Sequence, residues 1–393
     1  MVSIETLDDY RKAVLVLSNG KIFRGKGIGA TKKIFGEFVF NTATACGYNC
    51  ALTDASNKRQ IYVFTYPLIG NYGVPPWEED EFRIYKWFEG EQIYLEAVVV
   101  HESCKKPHHY ESVKTFDEFL KEQDVPGMEG VDTRELTKIL RKEGVQVGML
   151  QVFEKGAEIP EDEVLLEQVK QAPDPNDFHL VKEVSIKSPK KYTPKDPVGR
   201  VVLVDCGVKL NIIRNLVKRH LEVVRVPFDI SYEDVMNYNP NGVVLSNGPG
   251  DPQMCVETIE LCRKLIENNV PTMGICLGTQ IMGLAVGGTT SKLKYGHRGA
   301  NKPVKDLITN KCYITSQNHG YVVDADSVKG AGFKVLFKNL DDGSVEGLIH
   351  ETKPIFAIQF HPEACAGPLD TIYLFNKFLR NMNLPIKEES LCH

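Results

Sequence analysis

Four short stretches hold residue types that could do chemistry together. Gly274-Ile-Cys276-Leu-Gly278 stands between an apolar run and a helical run. A nucleophile flanked by glycines between strand and helix forms a tight elbow that exposes its side chain. Cys276 would also lie at a helix N-terminus, whose partial positive charge favours thiolate. The second stretch, Ile355-Phe-Ala-Ile-Gln-Phe-His361-Pro-Glu363, is an apolar run ending in a histidine and an acid. Residues two apart on an extended chain share a face, so a carboxylate at 363 can orient the imidazole at 361 and support its charged form. The third, Leu245-Ser-Asn-Gly248-Pro-Gly250-Asp-Pro, offers backbone N–H groups in a tight loop, the kind that meets an anion or a developing oxyanion. The fourth, Thr315-Ser-Gln-Asn318-His-Gly320-Tyr321, is polar and could hydrogen-bond a substrate. Taken singly, each also fits an ordinary turn or strand end. Together they describe acyl transfer by a cysteine, a histidine and a glutamate. The order Cys–His–Glu, with the acid two residues after the histidine, is not that of the α/β-hydrolases.

Such groups need a frame. From Arg200 onward, short apolar strands alternate with amphipathic helices: Val201–Asp205, Asn211–His220, Glu222–Val226, Gly242–Ser246, Val256–Glu267 and Pro271–Cys276. That pattern predicts an α/β domain over residues 200–386, with a doubly wound, mostly parallel sheet covered on both faces. Ligands of such sheets sit beyond the carboxyl ends of the strands, where the four stretches fall. Residues 1–153 read as a β-rich α+β domain. Asn19-Gly20 between two strand-like runs is a hairpin signal, further strands fall at 37–41, 60–66 and 94–100, and helices fall near 115–122 and 132–143, the second capped by Asp132. Residues 154–199 are rich in Pro, Lys, Glu and Asp and read as a linker with one short helix.

Composition excludes other classes. Of 393 residues, 42% are apolar and 25% charged, so the chain folds rather than staying disordered. A formal charge of −5 gives no general attraction for nucleic acid or anionic lipid. No apolar run approaches the ~20 residues of a membrane span, and the first residues carry no secretory pattern; a cytoplasmic protein is expected. The ten cysteines contain no Cys-x-x-Cys pair, so no metal site is expected. His101, His108, His109, His179, His220 and His350 have no ligand spacing. There is no P-loop, and Gly25-Lys-Gly-Ile-Gly follows a hairpin rather than opening a βαβ unit.

The four stretches together resemble the class I, triad-type glutamine amidotransferases over residues 200–385. In the first half, Glu37-Phe-Val-Phe-Asn-Thr, Leu52-Thr-Asp-Ala-Ser56, Thr65-Tyr-Pro-x-Ile-Gly-Asn71 and Gly130-Val-Asp-Thr-Arg-Glu-Leu-Thr are similar to the family of carbamoyl-phosphate synthase small chains, as is Gly296-His-Arg-Gly-x-Asn301. The resemblance implies hydrolysis of L-glutamine by Cys276, His361 and Glu363 through a γ-glutamyl thioester. It implies glutamine contacts at Ser56, Gly248, Gly250, Leu277, Gln280, Asn318, Gly320 and Tyr321, with the Leu277 and Gly250 N–H groups at the oxyanion. It implies no cofactor in this chain. The partner would be a large synthetase chain, in a heterodimer or larger assembly, that holds ATP and Mg and makes carbamoyl phosphate for arginine or pyrimidine synthesis. The rival readings are a subunit serving an anthranilate or GMP enzyme, which would lack the first domain, and a non-catalytic scaffold. Departures from the family pattern are Thr279, Lys302, Asn49-Cys50 and one extra residue between Asn41 and Gly47.

Overall fold

A computed structural model describes residues 10–42 and 47–387. The leader reading of the first residues and the extra residue before Gly47 lie outside that range.

The first half folds into a closed seven-stranded barrel beside a two-stranded ribbon. Its strands are β1 (Lys12–Leu17), β2 (Ile22–Gly29), β3 (Lys33–Asn41), β4 (Gln60–Phe64), β6 (Ala97–Val99), β8 (Pro126–Glu129) and β9 (Gln146–Val152). The ribbon pairs β5 (Leu68–Ile69) with β7 (Glu102–Ser103). Around the barrel the order is β1-β2-β8-β6-β4-β3-β9, with β1 and β2 joined through Asn19-Gly20. Closure leaves no free sheet edge. Strand β1 shows how both faces are used. Alternate residues point to opposite sides: Ala13, Leu15 and Leu17 enter the core shared with helix Thr133–Glu143, while Val14 and Val16 pack on Leu165 and Val169. Helix Thr133–Glu143 is capped by the Asp132 side chain accepting from the Glu135 N–H. Helix Phe116–Glu122 begins with a capping box between Thr115 and Glu118, which satisfies two otherwise orphaned N–H donors.

Leu165 and Val169 belong to the stretch read from sequence as a linker. It is more ordered than that reading: it holds helices Asp162–Lys170 and Leu180–Val184 and strand β10 (Lys190–Tyr192). Low apolar content hid this, because scattered residues, among them Leu165, Val169, Leu180, Val181, Val184 and Tyr192, supply its apolar burial.

The second half is one ten-stranded sheet, β10-β12-β11-β13-β14-β19-β18-β17-β15-β16. The new strands are β11 (Gly199–Asp205), β12 (Leu221–Pro227), β13 (Gly242–Leu245), β14 (Thr272–Ile275), β15 (Thr290–Asp306), β16 (Cys312–Val323), β17 (Phe333–Asn339), β18 (Val345–His350) and β19 (Ile355–Ile358). Strands β12, β11, β13, β14 and β19 are mutually parallel. In β11, Val201 and Leu203 face one apolar core and Val202 and Val204 the other, as a doubly covered sheet requires. The sequence pattern did not disclose the antiparallel extension β18-β17-β15-β16. Its strands alternate polar and apolar residues and carry no intervening helices.

Among the described residues, no helix is long and apolar enough to cross a membrane, and no disulfide joins two of the described cysteines.

Candidate active site

Cys276 sits between β14 and helix Leu277–Ala285, with φ +54° and ψ −101°, a strained conformation for a residue with a side chain. Its N–H donates to Ile358 O at 2.8 Å, tying the elbow to β19. The flanking glycines are required by close approach. A Cβ on Gly274 would stand 2.7 Å from Gly278 O, and one on Gly278 2.3 Å from Leu245 O.

Just past β19 the chain bends at Gln359–Phe360 and turns at Pro362–Glu363, the Ala364 N–H donating to His361 O at 3.3 Å, so a turn and not the extended run expected from the sequence folds Glu363 back onto His361. Gln359 Nε2 donates to Cys276 Sγ at 3.6 Å. His361 Nδ1 meets Glu363 Oε1 at 2.7 Å, leaving Nε2 without a hydrogen-bond partner on the side of the Cys276 thiol. Both side chains are buried. Burial and nearby Lys209 push His361 down, but Glu363 and Cys276 outweigh them and raise it to about 9. Burial would raise Glu363, yet His361 and Lys209 together hold it below the usual carboxylate range. Lys209 Nζ lies 3.6 Å from Glu363 and 3.5 Å from Asp54. The Asn211 side-chain amide donates to the Glu363 carbonyl.

In front of Cys276 opens a cleft of about 670 Å³ at the junction of the two halves. Ser56, Gly248, Gly250, Cys276, Gln280, Asn318, Gly320 and Tyr321 all line it. Ser56 Oγ accepts from Asn247 Nδ2 at 2.9 Å, bridging barrel and sheet. Gly248 must be glycine, since a Cβ would fall 2.1 Å from Cys206 O. Among the described residues, the N–H groups of Leu277 and Gly250 make no hydrogen bond. The Leu277 side chain lies in the core, so only its backbone can serve the cleft. Gln280 Nε2 donates to Tyr321 O at 2.9 Å and to Gln359 Oε1 at 3.2 Å.

Asn318 is placed differently from a free substrate ligand. Its amide donates to Asp54 Oδ2 at 3.1 Å and Asn57 Oδ1 at 3.0 Å, while its carbonyl stands 3.7 Å from Cys276 Sγ. Tyr321 Oη donates to Asn176 Oδ1 at 3.0 Å, so the former linker closes one side of the cleft. Burial pushes the Tyr321 hydroxyl up. The departures Thr279, Lys302, Asn49 and Cys50 do not line the cleft. Cys50 faces a second cavity, of about 520 Å³, behind Asn318 and Glu363.

Sequence reasoning missed several participants. Gln359 stood two residues before His361 in the same sequence stretch, but the bend at Gln359–Phe360 that aims it at Cys276 gave no signal. Arg298, Lys209 and Asn247 gave no local signal. Arg298 lines the cleft, is buried, and among the described residues forms no ion pair with a carboxylate, whereas the cleft's Lys292 is held by Glu37 at 2.6 Å and its Lys58 by Glu96 at 3.1 Å.

Two family models match separate parts of the chain. Residues 202–381 match the family described as Glutamine amidotransferase class-I. Residues 15–150 match the one described as Carbamoyl-phosphate synthase small chain, CPSase domain. The carbamoyl phosphate synthase small chain of Methanocaldococcus jannaschii is 48% identical over 371 residues, covering 94% of this chain and 98% of that one. The arginine-specific small chain of Neurospora crassa is 44% identical, covering 95% and 80%. The multifunctional protein CAD of Squalus acanthias is 46% identical over 93% of this chain, which corresponds to 16% of that much longer protein.

Proposed function

The chain belongs to the family of carbamoyl-phosphate synthase small chains, and on that premise we propose that it hydrolyses L-glutamine and supplies the ammonia to a large synthetase chain. The observation that carries this reading is the strained Cys276 set between the cleft at the junction of the two halves and a buried His361–Glu363 pair.

The amide of glutamine is a poor electrophile with a poor leaving group, so catalysis needs a nucleophile, a proton carrier and oxyanion donors. Cys276 Sγ attacks the side-chain carbonyl carbon while its proton passes to His361. The Leu277 and Gly250 N–H groups receive the oxyanion, each worth about 3 kcal/mol. His361 then hands the proton to the departing nitrogen. Its raised pKa, held by Glu363, makes the protonated form easy to reach. Ammonia leaves and a γ-glutamyl thioester remains. Water, activated by His361, releases glutamate and restores the thiol.

Binding uses the surroundings of the cleft. Ser56, Gly248, Gln280, Asn318, Gly320 and Tyr321 contact the substrate, Asn318 through its backbone and Ser56 through the hydroxyl hydrogen left free by Asn247. Arg298 offers a buried cation to the α-carboxylate. Ammonia escaping into water at neutral pH would become ammonium, which is not a nucleophile, so a direct hand-over to the large chain follows from the chemistry. ATP and Mg belong to that partner; the hydrolysis proposed here uses protein groups alone.

The test is glutamate release from glutamine by wild type and Cys276→Ala, with and without a large chain. Activity lost in the variant and raised by the partner is expected. Full activity in Cys276→Ala would remove the nucleophile from the scheme.

A further inference from the structure

One buried cluster plays no part in that chemistry. His297 on β15 stands directly across the ladder from His319 on β16, their rings nearly perpendicular with centroids 4.9 Å apart. Glu346 on β18 reaches between them. Its Oε1 is 3.3 Å from His297 Nδ1 and 3.6 Å from His319 Nε2, and the three donor atoms lie within 4.8 Å of one another. All three residues are more than nine-tenths buried.

The outer contacts constrain the inner atoms. His319 Nδ1 faces the Tyr321 carbonyl at 3.0 Å, which can only accept, so Nδ1 carries the hydrogen and neutral Nε2 is a bare lone pair. His297 Nε2 faces Asp342 Oδ2 at 2.9 Å and its Nδ1 faces Glu346 Oε1 at 3.3 Å, so Nε2 carries a hydrogen and Nδ1 is a position that either a second proton or a metal ion can take. Both point at a carboxylate. Asn339 supplies the only side-chain N–H donors described there. Its two hydrogens are spread over Glu346 Oε1 at 3.1 Å, Gln317 Oε1 at 3.4 Å and His297 Nδ1 at 3.4 Å. Its Oδ1 is already engaged by the Asp341 N–H at 2.8 Å, so the amide cannot be turned around. His319 Nε2 and Glu346 Oε2 are left with no hydrogen-bond partner. A buried centre with this excess of acceptors calls for a cation, either a proton on His297 or a metal ion, and only a metal ion would also satisfy His319 Nε2 and Glu346 Oε2.

We propose that His297 Nδ1, His319 Nε2 and Glu346 bind a divalent transition-metal ion, zinc being the best match, as a structural centre within the antiparallel half of the sheet. Two imidazoles and one carboxylate suit zinc and exclude a magnesium or calcium cage. Bonds of about 2.0–2.1 Å in a tetrahedral site put ligand atoms about 3.3–3.5 Å apart, close to the two spacings to Glu346. Each histidine already donates its other ring N–H to a carboxylate or a carbonyl, the arrangement that orients metal-binding imidazoles. Asp342, 41% exposed, gives the centre an edge towards solvent. The ion would clamp β15, β16 and β18, and with them the segment carrying Asn318, Gly320 and Tyr321. Sequence reading assigned no metal here because the ligands come from three separate strands.

The probe is the metal alone on the full chain, stripped with a chelator and titrated with cobalt(II) and zinc(II). About one equivalent of cobalt should bind with a tetrahedral visible spectrum and no thiolate charge-transfer band. Zinc should raise the thermal midpoint by several degrees. His297→Ala and Glu346→Gln should each weaken binding by about 100-fold, and Asp342→Asn by about tenfold, whereas Cys276→Ala should change nothing. If His297→Ala does not fold, wild type and Asp342→Asn decide alone. Wild type that takes up no cobalt or zinc and melts unchanged would overturn the proposal and leave a proton at the centre. Uptake with a thiolate band, or uptake lost in Cys276→Ala, would overturn it equally.

Discussion

The two buried imidazole–carboxylate sets can be compared residue for residue. They are linked through one strand: His361 donates its backbone N–H to Ser316 O, and His319 lies three residues further along that strand. In the triad the carboxylate takes the Nδ1 side of the ring and leaves Nε2 towards a thiol, which has a proton to give. In the cluster a backbone carbonyl takes the Nδ1 side of His319, and the carboxylate sits at Nε2, where both atoms are acceptors. The proton affinities differ accordingly. His361 is raised despite its burial, His319 is lowered because burial outweighs Glu346, and His297, with a carboxylate at each ring nitrogen, is raised. The lesson is that histidine plus glutamate has no fixed meaning. Which ring nitrogen the acid occupies decides between a proton carrier and a cation site.

The largest expected effect tests whether the triad alone does the chemistry. Cys276→Ala should cut glutamate release by about 10⁵-fold or more, and rapid quenching with mass analysis should find no γ-glutamyl adduct. A sharper test sets the two acids side by side. Glu363→Gln should lower kcat by about 10³–10⁴-fold, because the imidazole loses its orienting charge, while Glu346→Gln should lower it by less than about tenfold. Equal losses would break the comparison. A third experiment contrasts two glycines near Cys276. Gly278→Ala forces a Cβ against the Leu245 carbonyl and should cost about 2–4 kcal/mol in denaturant unfolding. Gly320→Ala, whose nearest neighbour is Arg298 Nη2 at 3.7 Å, should stay within about 1 kcal/mol.

The smallest effect is in pH. His361 is raised above its unfolded value, so its contribution to stability is complete below pH about 6.5 and is lost as pH climbs through about 9. Glu363 is depressed, so its share is present above pH about 4.5 and is lost on acidification. Chemical unfolding between pH 6 and 10 should show a fall on the order of 2–3 kcal/mol in wild type, flattened in His361→Gln.

Much of this was legible before any coordinates. The elbow glycines, the Asn19-Gly20 hairpin and the Asp132 cap are local, because backbone sterics act over a few residues; the His361–Glu363 pairing was also foreseen, though a turn and not strand alternation makes it. What stayed hidden was of two kinds. The order within residues 154–199 rests on a handful of apolar side chains in a polar stretch, which periodicity cannot detect. The antiparallel strands β15–β18 carry no intervening helices to punctuate them.

The sequence by itself determined which atoms can react: a cysteine held between glycines, a histidine and an acid two residues apart, and a loop rich in free N–H groups. Only the tertiary structure decided what those atoms face. It brought Ser56 from the barrel to Asn247, turned the Asn318 amide away from the cleft towards Asp54 and Asn57, and set Arg298 in the wall without a carboxylate. It also gathered His297, His319 and Glu346 from three strands around one centre. Spacing along a chain constrains direction over a few residues, whereas convergence of lone pairs depends on which strands pair and in what register.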